Sequence, residues 1–505
     1  MNEMAGTRNL PPRAGAMIEA LRGLGYSVEA ALADIVDNSI SAEATEVRIE
    51  FSWEGAASRV AILDNGFGMT DGELERAMQL GAKSPLEARD PLDLGRFGMG
   101  LKTASFSHCR LLTVATVKDG SAACLRWDLD ALAANPSGGW TLFEGTQPGS
   151  EAFVSPLAAQ RSGTIVLWEK LDRIVTAGYT PADFSDLIDR VNAHLAMVFH
   201  RLLEGQKPRL RILLNGQPVL PWDPFMVGHP AKPWASPIAK TSTNAGPIEV
   251  ECHVLPHKDR LSQREFDRGA GPNGWTAQQG FYVYRNKRLL VAGGWLGLGQ
   301  GRTWNREESH RLARIRLDIT NAADAEWKID IRKATARPPV SLRPWLTRLA
   351  EDTRTRARHV FAYRGTPAPR LGSAPLEQAW RVERTKSGMR YQIDERHPAV
   401  SAVLDLSVEH RPLVQAMLRV IEETVPVQRI WLDTAENKET PQTSFAGEPS
   451  AAVMVFLNTF FKDMVGRRGM SVEAAKRQLL VTEPFQNFPE LIASLSIADP
   501  PSTDA

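Results

Sequence analysis

The stretch that decides the fold is Asp64-Asn-Gly-Phe-Gly68, which comes directly after the apolar run Arg59–Leu63. That run and the earlier run Glu46–Phe51 predict two strands joined by a Gly-containing turn. An Asp at the end of a strand can accept a hydrogen bond from an exocyclic amine. The two glycines let the backbone turn sharply and lie close to a ligand. Taken alone, however, this pattern is more typical of a plain turn.

Upstream, residues 27–41 predict a helix, because apolar residues recur at helical spacing and Ser27 is a suitable N-cap. Asp34 and Asn38 are one turn apart, so a carboxylate and a carboxamide share one face of this helix. An Asn oxygen can bind a divalent cation, and the carboxylate can orient a water molecule. In isolation, the pair is typical of a solvated helix face.

Downstream, the glycine run Gly95-Arg-Phe-Gly-Met-Gly100 is followed by Leu101, Lys102 and Thr103. A glycine-rich loop that leads into a helix suits phosphate oxygens, because free N–H groups and the helix dipole favour anions. Leu101 stands where a Walker A loop needs its lysine, and the glycine spacing differs from the dinucleotide fingerprint. The sequence therefore disfavours those two nucleotide-binding folds.

These three elements, together with Ser162-Gly163-Thr164 on a later predicted strand, resemble the GHKL ATPase superfamily (gyrase B, Hsp90, histidine kinases and MutL). The resemblance covers about residues 15–205 and implies the Bergerat fold, an α/β sandwich that holds ATP under a mobile lid at residues 82–97. It implies that Asn38 binds Mg²⁺, that Asp64 binds the adenine amino group, and that Thr164 supports adenine recognition. The residues implied to bind the ATP cofactor are Asn38, Asp64, Gly66, Gly68, Met69, Gly95, Phe97, Gly98, Met99, Gly100, Leu101, Lys102 and Thr164.

The residue four positions before Asn38 departs from the superfamily pattern. Hydrolysing members usually have Glu there as the general base, whereas this chain has Asp34. Asp keeps the carboxylate but is shorter by one methylene, so it can activate water only if the backbone or the water shifts. Two interpretations therefore remain. Asp34 is the catalytic base of a slow hydrolysis, or the site binds ATP without hydrolysing it.

A second predicted region narrows the resemblance. Residues 279–290 and 327–339 resemble the transducer domain of the prokaryotic MORC/MutL-like branch, which is an S5-like α/β fold. The resemblance implies that a transducer lysine reaches the γ-phosphate when the ATP-bound domains close. Lys333 is the first candidate for this catalytic role and Lys328 the second; an exposed lysine at a strand end is the alternative interpretation of each.

Basic residues are concentrated in residues 285–396, which carry a net charge of +12, whereas the rest of the chain carries −11. This asymmetry favours a surface that faces a polyanion, although charges paired across a domain interface would produce the same count. Because relatives in this branch contact the DNA backbone, we expect salt-sensitive and largely sequence-independent duplex contacts. The candidates are Arg285, Lys287, Arg288, Arg302 and Arg306.

The chain has 505 residues, of which 43% are hydrophobic and 24% charged, as in an ordinary soluble globular protein. Its three cysteines lack a paired metal spacing, and no run approaches the ~18 apolar residues of a membrane span. These features predict a reduced, cytoplasmic protein that makes no membrane contact. The predicted organisation is a GHKL ATP-binding domain (1–205), a transducer (206–365) and a mainly helical C-terminal domain (376–497).

The favoured function is a Mg·ATP-binding, slowly hydrolysing ATPase that forms a homodimer on binding ATP. It would act as a DNA-associated clamp or signalling subunit with a separate effector protein, as in restriction-modification or anti-phage defence systems that it resembles. The alternatives are a non-hydrolysing, nucleotide-gated scaffold and an Hsp90-like chaperone. A histidine kinase is disfavoured because about 26 residues precede the Asp34 helix, too few for a phosphoacceptor module.

Overall fold

The computed structural model of this protein describes residues 12–23, 25–82, 100–135, 139–324, 326–329, 335–362, 377–385, 388–406, 409–430, 451–483, 485 and 488–496. The chain divides into two units, Met1–Gly365 and Thr366–Ala505.

The first unit begins with an eight-stranded sheet in the order β5-β4-β3-β6-β2-β1-β7-β8. The pairs from β5 to β1 are antiparallel, and Asp64 at the end of β2 lies opposite Thr164 in β6. The strands are β1 (Glu46–Ser52), β2 (Arg59–Asp64), β3 (Leu111–Lys118), β4 (Ser121–Asp128), β5 (Phe143–Glu144), β6 (Gly163–Glu169), β7 (Arg211–Leu214) and β8 (Gln217–Pro218).

Helices cover both faces of this sheet, because each face presents apolar side chains. One face packs against α2, α4 and α7, and the other against α6 and a 3₁₀ turn at Ser155–Ala159. The helices in this part of the chain are α1 (Ala14–Arg22), α2 (Val28–Ser41), α3 (Asp71–Met78), α4 (Gly100–Phe106), α5 (Leu129–Ala134), α6 (Glu151–Val154), α7 (Pro181–Val198) and α8 (His200–Leu203). The predicted α/β layering of this region is confirmed.

The first sheet continues past the domain boundary that the sequence predicts at residue 205. Strand β7 pairs in parallel with β1, with Val47 opposite Ile212, and β8 then folds back onto β7. Residues 211–218, which the sequence assigns to the second region, therefore complete the first sheet. The apolar side chains of β7 explain this placement, since Ile212 and Leu214 are buried in the core of the first sheet.

A second sheet has the order β10-β11-β16-β12-β13, with β9 paired to β11. Strands β12 and β16 are parallel, and the other pairs are antiparallel. The strands are β9 (Trp234–Ala235), β10 (Ala239–Thr243), β11 (Gly246–Val254), β12 (Gly280–Arg285), β13 (Arg288–Ala292), β14 (Gly299–Gln300), β15 (Arg302–Thr303) and β16 (Ala313–Ile319), with β14 and β15 forming a separate hairpin. The helices are α9 (Gln263–Ala270), α10 (Gly274–Ala277) and α11 (Arg343–Ala362), of which α11 packs on the sheet.

The two sheets share part of one core. Tyr282, Tyr284 and Leu289 of the second sheet are buried among the residues that pack the first. The hydroxyl of Tyr284 lies 2.8 Å from Nε2 of His200, and Arg201 forms an ion pair with Asp318 at 2.5 Å. Strands β12 and β13 therefore contact the helices α7 and α8 that follow the first sheet's strand β6.

The second unit combines a two-stranded hairpin with helices, so the mainly helical prediction is partly matched by the residues described there. The hairpin pairs β17 (Trp380–Thr385) with β18 (Gly388–Ile393). The helices are α12 (Pro398–Leu406), α13 (Arg411–Thr424), α14 (Ala451–Lys462), α15 (Val472–Leu479) and α16 (Pro489–Ser494). Phe460, Phe461 and Leu479 belong to the separate core of this unit. Among the described helices of the whole chain, none combines the length and apolarity that crossing a membrane requires.

Candidate ATP-binding site

The centre of the candidate site is the carboxylate of Asp64 at the end of β2. Its Oδ1 accepts hydrogen bonds from the backbone N–H groups of Gly66 (2.9 Å) and Thr164 (3.2 Å). Its Oδ2 accepts from the hydroxyl of Ser39 at 2.8 Å. The side chain is 7% exposed, and burial raises the pKa of Asp64 above its ordinary value despite these donors. A carboxylate fixed in this way has remaining acceptor capacity and one defined orientation.

The turn after Asp64 depends on a glycine at position 68. Gly68 has a φ of +68°, and a Cβ there would lie 2.0 Å from the carbonyl oxygen of Val117. The next residue, Met69, donates its N–H to Oγ1 of Thr116 at 2.9 Å. Thr116 Oγ1 also lies 3.2 Å from Oγ1 of Thr164, so this turn is connected to the strand that faces Asp64.

Helix α2 supplies the second part of the site. It begins where the sequence predicts, with the Ser27 hydroxyl accepting from the N–H of Ala30 at 3.3 Å. Asp34 is buried and Asn38 is exposed, one turn nearer the end of the helix. Because Ser39 donates to Asp64, α2 and β2 are held together beside these two residues.

Lys102 lies on α4, but its amine contacts the end of another helix. Nζ donates to the carbonyl oxygens of Ala77 (2.7 Å) and Gln79 (2.9 Å), which α3 leaves without helical partners. Burial lowers the pKa of Lys102 from 10.5 to about 8. While both carbonyls stay bound, contact with a phosphate, which the sequence predicts, would have to use the third N–H of this ammonium group.

A buried ion-pair cluster joins α2 to the second sheet. Arg288, the first residue of β13, donates from Nε to both oxygens of Asp37 at 3.1 Å. Its Nη2 lies 3.1 Å from Asp37 Oδ2 and 3.7 Å from Oδ1 of Asp34. Asp34, Asp37 and Arg288 are 6%, 1% and 4% exposed.

This burial corrects two of the predicted DNA contacts. Arg285 and Arg288 are buried, because they turn toward the interior of the first unit. Lys287, Arg302 and Arg306 are exposed, as a duplex contact requires.

Several predicted residues lie outside the described part of the chain. These are the lid residues from 83 onward, the glycine-run members Gly95, Phe97, Gly98 and Met99, and the catalytic candidate Lys333. Lys328, the second candidate, is described and exposed.

The donor set near Asn38 fits a cation that is held largely by its nucleotide. The described residues contain no group of three His, Cys, Asp or Glu side chains that could hold a metal ion. Mg²⁺ commonly keeps several waters and binds a few protein oxygens together with substrate phosphates. An exposed amide oxygen at Asn38 can serve as such a ligand.

Three polar residues at the site escaped the sequence analysis. Ser39 and Thr116 hold Asp64 and the following turn, and Asp37 binds Arg288. Asp37 and Ser39 stand in the polar run 37–39 of α2, whereas Thr116 stands in a largely apolar, buried strand. A polar residue inside such a stretch is a usable signal, since buried polar groups require partners.

Comparison with known proteins identifies the class to which this geometry belongs. The model of the "Histidine kinase-, DNA gyrase B-, and HSP90-like ATPase" family matches residues 26–164, which contain α2, Asp64 and Thr164. Residues 26–164 are therefore similar to the ATPase domain that defines this family. Parts of the chain are also similar to a MORC protein and to a MutL protein.

The first relative is ATPase morc-1 of Caenorhabditis elegans, which is 33% identical over 95 residues, or 19% of this chain and 11% of the relative. The second is the DNA mismatch repair protein MutL of Afipia carboxidovorans, 28% identical over 206 residues, or 40% of this chain and 30% of the relative. The matched segments thus span less than a third of each relative's length.

Proposed function

We propose that this protein is a Mg·ATP-dependent ATPase that turns over slowly and dimerises when ATP binds. The observation that carries the proposal is the Asp64 carboxylate, which three donors fix beside the Asp34–Asn38 face of α2. In this arrangement Asp64 accepts a hydrogen bond from the adenine amino group. Asn38 offers its amide oxygen to Mg²⁺, which offsets the charge of the phosphates when it is bound.

Asp34 is the proposed general base. It stands one helical turn before Asn38, on the same face, so its carboxylate lies on the side of the site where Mg²⁺ and the phosphates would be bound. It would accept a proton from the attacking water, while Lys102 and Lys333 are the candidate cations at the phosphates. The shorter Asp side chain accounts for the slow rate, because the water must lie nearer to α2 than it would beside a Glu.

We propose that the dimer associates with duplex DNA and signals to a separate effector protein through the second unit. The exposed Lys287, Arg302 and Arg306 support the DNA contact, and one relative bears the name of a DNA mismatch repair protein. Restriction-modification or anti-phage defence is the setting that we propose for this activity.

Steady-state ATP hydrolysis, with and without duplex DNA, tests the proposal. Wild-type protein should hydrolyse ATP, and DNA should raise the rate. Asp34→Asn should still bind ATP but lose turnover, whereas Asp64→Asn should lose ATP itself. Normal hydrolysis by Asp34→Asn would show that Asp34 is not the base.

A non-hydrolysing, nucleotide-gated scaffold is the second candidate. The observation in its favour is that Asp34 is buried with a cation 3.7 Å from its Oδ1, a position that hinders access of water. This candidate predicts ATP binding without turnover in the wild type, and a gain of turnover in Asp34→Glu.

A further inference from the structure

The cluster of Arg288, Asp37 and Asp34 connects two parts of the first unit that are far apart in sequence. Arg288 begins β13 in the second sheet, and both carboxylates lie on α2 beside the nucleotide site. Nothing in the proposed reaction requires a cation from the second sheet at this place. The inference below rests on the proposed function, because it concerns the geometry of the proposed base.

The guanidinium of Arg288 is held in one orientation. Nε and Nη2 pair with Asp37, while Nη1 donates to the carbonyl oxygen of Leu289 at 2.6 Å. The ring centroid of Phe199 lies 5.9 Å from the guanidinium carbon. Asp37 and the backbone of β13 therefore fix the position of this positive charge, and Asp34 lies within its reach.

The surroundings leave the charge of Arg288 effective. This charge also acts on His194 of α7. Burial is the larger cause and the charge of Arg288 the second, and together they lower the pKa of His194 to about 4. The imidazole is therefore neutral at pH 7 and adds no second cation. In a buried site, the attraction between a guanidinium and a carboxylate is several times stronger than the same attraction in water.

We propose that Arg288 is a positioning residue for ATP hydrolysis, which orients the Asp34 carboxylate and makes that orientation depend on the second sheet. Asp37 anchors the guanidinium, and Nη2 draws Oδ1 of Asp34 toward a fixed point on β13. Asp is shorter than the usual Glu, so its carboxylate reaches the attacking water only in a narrow range of orientations. A displacement of β13 carries Arg288 with it, and this movement changes how Asp34 faces the water.

The structure offers a route by which such a displacement can arise. Arg288 follows the Asn286–Lys287 turn, in which both residues have positive φ (48° and 68°) and Lys287 is exposed. A ligand that binds this exposed turn and displaces it also displaces Arg288, because Arg288 is the next residue in the chain. Binding events at the second sheet would thus alter the rate of hydrolysis without changing the affinity for ATP.

The test compares Arg288→Ala and Arg288→Lys with the wild type, using kcat, the ATP dissociation constant from calorimetry, and the thermal midpoint. We expect kcat to decrease about 10- to 100-fold in Arg288→Ala, while the ATP dissociation constant changes less than about twofold. Ethylguanidinium added to Arg288→Ala should restore part of kcat, because it can occupy the space of the missing head group. The kcat of Arg288→Lys should lie between those of the wild type and Arg288→Ala.

Arg201→Ala is the matched control. Arg201 also forms an ion pair with a residue of the second sheet, Asp318, but the described contacts of its head group do not include α2. It should lower the thermal midpoint and leave kcat unchanged. An equal loss of kcat in both variants would show that Arg288 acts only by stabilising the fold.

The outcomes separate this inference from the function on which it rests. Wild-type protein that binds ATP without turnover overturns the proposed hydrolysis. Wild-type turnover with an unchanged kcat in Arg288→Ala overturns the positioning role alone. If Arg288→Ala does not fold, Arg288→Lys decides: an unchanged kcat and ATP dissociation constant overturn the role, and a selective loss of kcat supports it.

Discussion

Replacing Asp64 with Asn tests the adenine contact with little change of shape. The amide oxygen should take the place of Oδ1, because the N–H groups of Gly66 and Thr164 both point there. The amide NH₂ then replaces Oδ2 opposite Ser39, whose hydroxyl can turn its proton toward the carbonyl oxygen of Ile35, 3.5 Å away. The ligand-free fold should therefore lose less than about 1 kcal/mol.

The effect on ATP is much larger, because the NH₂ group now faces the adenine amine. A hydrogen bond to a charged acceptor, worth about 1.5–3 kcal/mol, is lost, and leaving a buried donor unsatisfied costs about 1–3 kcal/mol more. A total of about 4 kcal/mol corresponds to an affinity on the order of 1000-fold weaker. A base with an oxygen in place of the amine, as in GTP, should lose much less, so the preference for ATP over GTP should disappear.

Calorimetric titration with ATP and GTP, together with thermal unfolding in the absence of nucleotide, measures these effects. Glu169→Gln is the matched control, because Glu169 is also a buried carboxylate on a neighbouring strand and is bonded to Ser150 and Arg126. It should change the stability and leave ATP affinity intact. ATP binding by Asp64→Asn within about fivefold of the wild type would refute the adenine role of Asp64.

Three further predictions concern the turn, the buried lysine and the basic surface. Gly68→Ala should destabilise the fold by about 3 kcal/mol or more in denaturant unfolding. Gly120 is also at positive φ but has nothing near a new Cβ, so Gly120→Ala should cost about 1 kcal/mol. Equal costs for the two variants would contradict the close approach of Gly68 to Val117. Burial lowers the pKa of Lys102 from 10.5 to about 8, so between these pH values the unfolded chain holds a proton that the folded chain has lost. The free energy of unfolding should therefore rise with pH by up to ~3 kcal/mol over that range. Lys102→Met should abolish this rise. The last prediction concerns three exposed basic residues, Lys287, Arg302 and Arg306. When all three are changed to Ala, fluorescence anisotropy with duplex DNA should show a slope of log binding constant against log salt concentration that is smaller by about 2.7. An unchanged slope would exclude them as phosphate contacts.

The sequence predicted the parts of the site that depend on local pattern. Helix α2 with its Ser27 cap and the strand before Asp64 follow from spacing and capping alone, and Asp64 lies at the end of that strand, bonded to Ser39 of the helix. Arg288 could not be predicted in the same way, since its side chain is placed by a partner 251 residues away. The sequence shows a basic residue in a basic segment, for which a solvent-facing role is the simpler expectation. Burial of that residue is decided by tertiary packing, which residue type and spacing do not encode.

The pairing of β7 with β1 has a practical consequence for work with fragments. A fragment that ends at residue 205 would lack β7 and would leave β1 as an open edge, with its backbone N–H and C=O groups unpaired. Buried residues such as Val47 and Ile49 lie along that edge, and an apolar edge strand can pair with another chain. Self-association of such a fragment would then be mistaken for ATP-dependent dimerisation. A fragment that includes β8 and ends beyond Pro218 keeps the edge covered, so its oligomeric state can be interpreted.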